Sequence, residues 1–235
     1  MLSRSRPVSI QPPAEVSTHG GLAYALFLPP EAPRGSVLIL HGAGSVKENH
    51  YDFARAARAH GFAALAFDQR GHGDSEGGMG AGVLDDIAAM AALLPAGPLA
   101  LRGSSMGGYF AIVGAARLQA AAVVAICPAG SEHLLRGLRA GALPFRADLS
   151  SLEAFLTEHD AMLAAAELDG GLLLLHAEGD ERIPVGHSIE LERVAMRAQP
   201  KRLIAVPGGH HRSVQHDGEL QGESLRWLSR VVDGA

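Results

Sequence analysis

The chain has 235 residues, of which 47% are hydrophobic and 19% charged, a balance that excludes an intrinsically disordered protein and fits one ordinary domain spanning residues 1–235. Twenty Lys plus Arg against 25 Asp plus Glu give a formal charge of −5 without a basic block, which disfavours a nucleic-acid partner. No apolar run approaches the roughly 18–20 residues of a membrane span, and the stretch Met1 to Pro13 carries Arg4 and Arg6 with no hydrophobic segment behind them, so neither signal peptide nor anchor is expected.

Short apolar runs alternate with longer helix-like stretches, the pattern of a parallel sheet with crossover helices. In chain order the predicted strands are Leu22 to Leu28, Ser36 to Leu40, Phe62 to Phe67, Leu99 to Arg102, Ala121 to Ile126, Leu172 to His176 and Arg202 to Val206. Helices are predicted near Lys47 to His60, Val83 to Leu94, Met106 to Leu118, Gly186 to Ala198 and Glu219 to Val232. No helix fits between the first two strands, so an antiparallel start is expected. Pro128 to Gly170 interrupts this rhythm as an insertion of about forty residues, longer than an ordinary crossover. Within it Leu152, Phe155, Leu156, His159, Met162, Leu163 and Ala166 recur at helical spacing behind Ser150 and Ser151, which predicts one N-capped amphipathic helix.

The most informative segment is Leu99-Ala100-Leu101-Arg102-Gly103-Ser104-Ser105-Met106-Gly107-Gly108-Tyr109, an apolar strand entering G-x-S-x-G and then a helix. A serine on so sharp a turn needs glycines two places either side, since side chains there would collide with the adjoining strand or helix. Ser105 is therefore the candidate nucleophile, and the Met106 backbone N–H at the helix N-terminus is a candidate oxyanion donor. The segment Val37-Leu38-Ile39-Leu40-His41-Gly42-Ala43-Gly44 again places glycines directly after a strand and offers a second donor, assigned to Ala43 with Gly44 as the neighbouring possibility. Neither segment has phosphate-loop spacing, and Gly71-His72-Gly73 lacks the third glycine of a dinucleotide fingerprint, so no cofactor is expected.

Ser105 needs an imidazole to take its proton and a carboxylate to orient that imidazole. After the strand Leu172 to His176, Asp180 is the candidate acid, with Glu178 as fallback; after Arg202 to Val206, one of the adjacent pair His210 and His211 is the candidate base. Most of the 12 histidines have ordinary structural roles, and although His210, His211 and His216 lie close together, no matching carboxylate or cysteine spacing supports a metal site. Cys127, the single cysteine, is read as buried core; a lone cysteine cannot form an intramolecular disulfide and fits a reducing, cytoplasmic setting.

With these motifs in the order Ser105, Asp180, His, the chain resembles the α/β-hydrolase superfamily from about Leu22 onward. The resemblance is carried by His41-Gly42-Ala43-Gly44, the Asp68-Gln69-Arg70-Gly71-His72-Gly73-Asp74-Ser75 turn, Gly103-Ser104-Ser105-Met106-Gly107, and Gly179-Asp180-Glu181-Arg182-Ile183-Pro184 with Gly208-Gly209-His210-His211. It implies a mostly parallel central sheet with helices on both faces and a short helical cap after the sixth strand, here residues 128–170. Its G-x-x-H spacing maps onto Gly208 and selects His211 as base, leaving His210 in reserve; it makes His72 and Asp74 structural. It further implies a carboxylesterase-like serine hydrolase acting on a small-molecule ester through Ser105, Asp180 and His211. Thioesterase, peptidase and perhydrolase activities are close relatives, a non-catalytic ligand-binding homologue is the contrasting reading, and so short a cap favours small or medium acyl chains.

Overall fold

The computed structural model describes residues 10–234; the segment with Arg4 and Arg6 lies outside the described residues. Eight strands form one sheet: β1 (Glu15–His19), β2 (Leu22–Phe27), β3 (Gly35–Leu40), β4 (Phe62–Phe67), β5 (Leu99–Ser104), β6 (Ala122–Ile126), β7 (Gly171–Ala177) and β8 (Lys201–Val206). Their order across the sheet is β1-β2-β4-β3-β5-β6-β7-β8. From β4 to β8 every neighbouring pair is parallel, while β1 pairs with β2 and β2 with β4 in antiparallel fashion. The antiparallel start is therefore present, but β2 runs against β4, not against β3. The exposed strand β1 was not anticipated, because EVSTH has too little apolar character to register as a strand.

The central strands are buried on both faces, which explains their nearly continuous apolar sequences. Alternate residues serve opposite cores: Leu38, Leu40, Leu101, Val123, Leu172 and Leu174 face one, while Val37, Ile39, Ala100, Val124, Leu173 and Leu175 face the other. Each fully buried Val or Leu of this kind contributes about 1.5–3 kcal/mol. Helices α1 (Tyr51–Ala59) and α8 (Gly218–Asp233) cover the second face through Phe53, Ala54, Leu225 and Leu228. Helices α2 (Val83–Ala91), α3 (Met106–Gly114) and α7 (Val185–Val194) cover the first through Ile87, Phe110 and Leu191.

Between β6 and β7 the chain forms α4 (Ser131–Arg139), α5 (Leu149–Glu158) and α6 (Ala161–Ala166). The single helix expected behind Ser150 and Ser151 is two helices. Asp148 caps the first by accepting from the Ser151 N–H, and the chain breaks at His159 so that Asp160 can cap the second by accepting from the Met162 and Leu163 N–H groups at 2.7 and 3.0 Å. The apolar period continues through the break, which is why the sequence alone reads it as one element; an Asp able to satisfy new N-terminal donors marks the division. The buried residues Leu152, Phe155 and Leu156 join the sheet core, and the Tyr109 hydroxyl on α3 donates to the His159 carbonyl at 2.6 Å.

Candidate active site

All the motif residues lie where parallel strands end, so the topology gathers them at the carboxyl edge of the sheet. β5 runs into Ser105, whose φ of 54° and ψ of −116° lie outside the regions ordinary residues occupy, a conformation that costs about 1–3 kcal/mol unless its surroundings enforce it. The surroundings do so. A Cβ on Gly103 would stand 2.0 Å from the Gly107 carbonyl oxygen, and one on Gly107 would stand 2.1 Å from that of Leu40, so the turn closes only with glycine at both places. The Ser105 N–H donates to the Ile126 carbonyl at 2.8 Å, and the Ser105 carbonyl accepts from Tyr109 and Ala129. Ser105 thus caps α3, where the first N–H groups, Met106 among them, have no partner within the helix.

The loop after β3 packs directly on this turn, with a Cβ position at Gly42 only 3.3 Å from the Ser105 Cβ. Ala43 and Gly44 line the cavity that also contains Ser105. Two buried polar groups hold the loop. The Gln69 backbone N–H donates to His41 Nε2 at 3.0 Å while His41 Nδ1–H donates to the Gly42 carbonyl at 2.8 Å, so the ring is neutral. Burial, reinforced by the neighbouring His72, lowers its pKa to about 4. Beyond the loop Lys47, almost wholly buried, donates from Nζ to Asp68 Oδ2 and Asp74 Oδ2, both at 2.8 Å, and from its backbone to Asp68 Oδ1 at 2.7 Å. Burial by itself would lower the lysine pKa, but its bonds to Asp68, Asp74 and Glu48 outweigh it and raise the value. At Asp68 burial opposes ionisation, and the bonds from Lys47 and the Asp74 N–H outweigh it and hold the carboxyl low. Lys47 was missed in the sequence because a lysine at the start of a predicted helix looks solvated; its only signal is the acidic turn it joins.

On the other side of Ser105, the buried Asp180 carboxylate accepts from His211 Nδ1–H at 2.7 Å through Oδ2. Its Oδ1 accepts from the Arg182 and Ile183 N–H groups at 2.8 and 2.9 Å. Burial works against its charge, yet the Ile183 N–H, His211 and the Arg182 N–H outweigh burial and hold its pKa low. His211 Nδ1 therefore carries the proton and Nε2 is left as the basic nitrogen. His210 and Glu178 are exposed, and His210 Nδ1 accepts only from the Arg212 N–H. Ser105 and His211 line the same two cavities without a hydrogen bond between them.

His176 was also missed. This fully buried ring lies next to the end of β7, donates from Nε2 to the Ile183 carbonyl at 2.9 Å, lies 3.4 Å from Asp180 Oδ2, and accepts from Ser188 Oγ at 2.7 Å through Nδ1. It braces the loop that carries Asp180. Cys127, buried as expected, brings its Sγ within 4.8 Å of ligand atoms on Asp180 and His211. Burial drives that thiol up to about 12, and Asp180 and His211 are already bonded to one another.

Two cavities meet at Ser105, one of about 140 Å³ with polar walls from Asn49, Gln215 and His216. The other, about 350 Å³, lies under α4 and the following loop, with Leu134, Leu143, Pro144 and Ile183 in its wall. The sequence profile of the hydrolase family described as "Serine aminopeptidase, S33" matches residues 31–151, just over half of the chain and including the Ser105 turn. The chain belongs to this family. As an α/β-hydrolase it shares its fold with the monoacylglycerol lipase of Paleococcus ferrophilus (TM-score 0.69, 21% identity, covering 91% of this chain and 99% of that one). It also resembles a thermostable carboxyl esterase from Bacillus coagulans (TM-score 0.75, 15% identity, 93% and 98%). A third similar structure is Est1E from Butyrivibrio proteoclasticus with ferulic acid bound (TM-score 0.73, 18% identity, 94% and 100%). Comparison with curated protein sequences gives no match. No helix among the described residues is long and apolar enough to cross a membrane.

Proposed function

We propose that this α/β-hydrolase is a carboxylesterase-like serine hydrolase in which Ser105, His211 and Asp180 form a triad and residues 128–170 are a short cap over one domain. The observation that carries the reading is the 2.7 Å His211 to Asp180 bond beside a serine held in a strained turn at a helix N-terminus. His211 Nε2 takes the Ser105 Oγ proton as the oxygen attacks the ester carbonyl, forming the C–O bond to the enzyme and placing negative charge on the carbonyl oxygen. The Met106 and Ala43 N–H groups receive that charge. The intermediate collapses by breaking the bond to the alcohol, which leaves with the proton from His211. Water, deprotonated by the same ring, then attacks the acyl-enzyme and frees Ser105 and the acid. The gap between Ser105 and His211 accords with catalytic bonds that tighten only around substrate.

An aminopeptidase must recognise a free ammonium group. Neither cavity that reaches Ser105 has an Asp or Glu in its wall, which favours esters over peptide N-termini, with thioesters open to the same machinery. The 350 Å³ cavity suits a small or medium acyl chain, and the free buried Cys127 fits a cytoplasmic setting. Turnover of p-nitrophenyl butyrate by wild type, Ser105→Ala, His211→Ala and His210→Ala, with fluorophosphonate labelling of each, tests the assignment. Ser105→Ala is expected to lose turnover by a factor on the order of 10⁶. Loss of turnover in His210→Ala but not His211→Ala would identify the wrong base, and a wild type that neither turns over nor labels would be a non-catalytic binding protein.

A further inference from the structure

Although the chain carries a formal charge of −5, the region around Ser105 has the opposite sign. The smaller cavity is walled by Arg182 and Arg212, and the larger one by Arg136 and Arg182; no carboxylate faces either. The nearby acids are occupied. Asp180 holds His211, and Glu181 accepts the His211 N–H through Oε2 at 3.1 Å while lying 3.8 Å from the Arg182 Nε. Among the described residues, Arg136 and Arg212 form no ion pair.

A fourth cation lies behind the smaller cavity. Arg102, on β5 three residues before Ser105, is fully buried and has no carboxylate partner among the described residues. Its Nη1 donates to His50 Nδ1 at 2.9 Å and its Nη2 to the Gln215 carbonyl at 3.1 Å, with the guanidinium 4.4 Å above the Phe53 ring. His50 accepts that bond and is itself kept neutral by burial and by the arginine charge. Burial lowers the Arg102 pKa to about 10, which leaves it charged at neutral pH. Its partner Gln215 forms part of the cavity wall and is fixed there, accepting from Ser104 Oγ at 2.5 Å and donating to His216 Nε2 at 2.8 Å. His216 in turn spends its Nδ1 proton on Asp52 at 2.8 Å. The wall is thus a polar layer over a buried arginine that has no ion-pair contact and feels the Asp52 carboxylate only through space, behind His216, with two exposed arginines at its rim. A low-dielectric wall of one sign focuses its field into the cleft it lines, and planar guanidinium groups match carboxylate and phosphate oxygens.

We infer that the polar cavity beside Ser105 binds an anionic group, carboxylate or phosphate, borne by the substrate between Arg182 and Arg212, while the acyl chain lies along Leu134, Leu143 and Ile183. This assignment rests on the esterase reading and narrows its substrates to acyl esters of acidic alcohols. The test compares near-isosteric esters, 4-carboxyphenyl butyrate against 4-carbamoylphenyl butyrate, and separately 1-butyrylglycerol 3-phosphate against 1-butyrylglycerol. The acidic member of at least one pair is expected to have a kcat/KM at least tenfold higher, mainly through KM, and the advantage is expected to shrink with added NaCl. The pair that shows it separates carboxylate from phosphate recognition. Arg182→Gln and Arg212→Gln should each lower the acidic-to-neutral ratio severalfold. Equal rates within both pairs, insensitive to salt, overturn the anion site while leaving the esterase reading standing. If wild type hydrolyses none of the four, calorimetric titration of Ser105→Ala with the uncleavable 4-butyramidobenzoate and 4-butyramidobenzamide decides: preferential binding of the benzoate keeps the anion site without the esterase, and equal or no binding removes both.

Discussion

Lowering the pH from 7 to 5 is expected to cost this protein about 2 kcal/mol of stability through His41 alone. The ring is buried beneath the loop that offers the Ala43 N–H, and it accepts the Gln69 N–H through Nε2, so protonation both breaks that bond and places a charge in the core. Its folded pKa of about 4, set first by burial, lies below the unfolded value of about 6.5. A histidine lowered in this way binds its proton more weakly when folded, so its contribution is complete above about pH 6.5 and is lost as pH falls toward 4. At 1.36 kcal/mol per pH unit the loss at pH 5 is about 2 kcal/mol, a large part of the roughly 5–15 kcal/mol that holds a domain together. His50, His72, His176 and His187 are also lowered, each by burial first, and add to the same slope. Asp68 and Asp180, held low, lose their contribution only below the ordinary carboxylate range and are silent in this window. Urea unfolding followed by the fluorescence of Trp227, the single tryptophan, at pH 7 and pH 5 measures the total, and His41→Gln should reduce the difference by about 2 kcal/mol. A free energy of unfolding that does not change between the two pH values would refute the reasoning, and an undiminished slope in His41→Gln would remove His41 from it.

Four further substitutions probe separate parts of the structure. Gly103→Ala should destabilise the fold by about 1–3 kcal/mol or more, because its new methyl meets a backbone oxygen that cannot swing away; Gly186→Ala, with nothing within 4 Å, should stabilise by up to about 1 kcal/mol in the same thermal melts. Lys47→Met leaves the Asp68 carboxylate buried without its cation and is expected to cost about 3–5 kcal/mol in urea unfolding; a loss under about 1 kcal/mol would mean the pair is not a brace. Asp180→Asn should keep the fold but reverse the His211 tautomer, lowering kcat toward p-nitrophenyl butyrate by a factor of about 10⁴, and an activity within tenfold of wild type would show that Asp180 does not orient the base.

Most of the sheet was legible because its strands are buried on both faces and read as unbroken apolar runs; Phe62–Phe67 has the same limits in sequence and structure. The Ser105 turn was legible for a different reason: steric closure admits only glycine at 103 and 107, so the constraint is written in residue identity. Helix α4 was not read from the sequence, although Leu134 and Leu138 stand four residues apart on its buried face; Gly137 inside it lowers its helical propensity, and it falls in a segment that reads as an insertion. The supporting shell was hidden for a related reason. Lys47, Arg102 and His176 are polar residues whose burial follows from what surrounds them in space, and nothing in their immediate neighbours announces it. Arg102 is the clearest case, because a charge at the end of the predicted strand Leu99 to Arg102 looks solvated until Phe53 and His50 are seen to enclose it.

The turn Asp68 to Ser75 unites these parts. On one side Asp68 and Asp74 anchor Lys47, and Gln69 fixes His41, so the loop offering the Ala43 N–H is held from below. On the other side the turn holds the chain between α4 and α5: the Arg146 N–H donates to the Gly71 carbonyl at 3.2 Å, the Met79 N–H to the Arg146 carbonyl at 3.0 Å, and Phe145 stacks on His72 at 4.5 Å between ring centroids. A Cβ on Gly44 would stand 2.5 Å from Pro144 Cγ, which brings the same segment against the β3 loop itself. The backbone that would stabilise the oxyanion and the wall that would receive the acyl chain therefore share one support. A change in that turn has to alter both at once, so its effects should appear in kcat and KM together, whereas a change confined to Arg182 or Arg212 should fall mainly on KM.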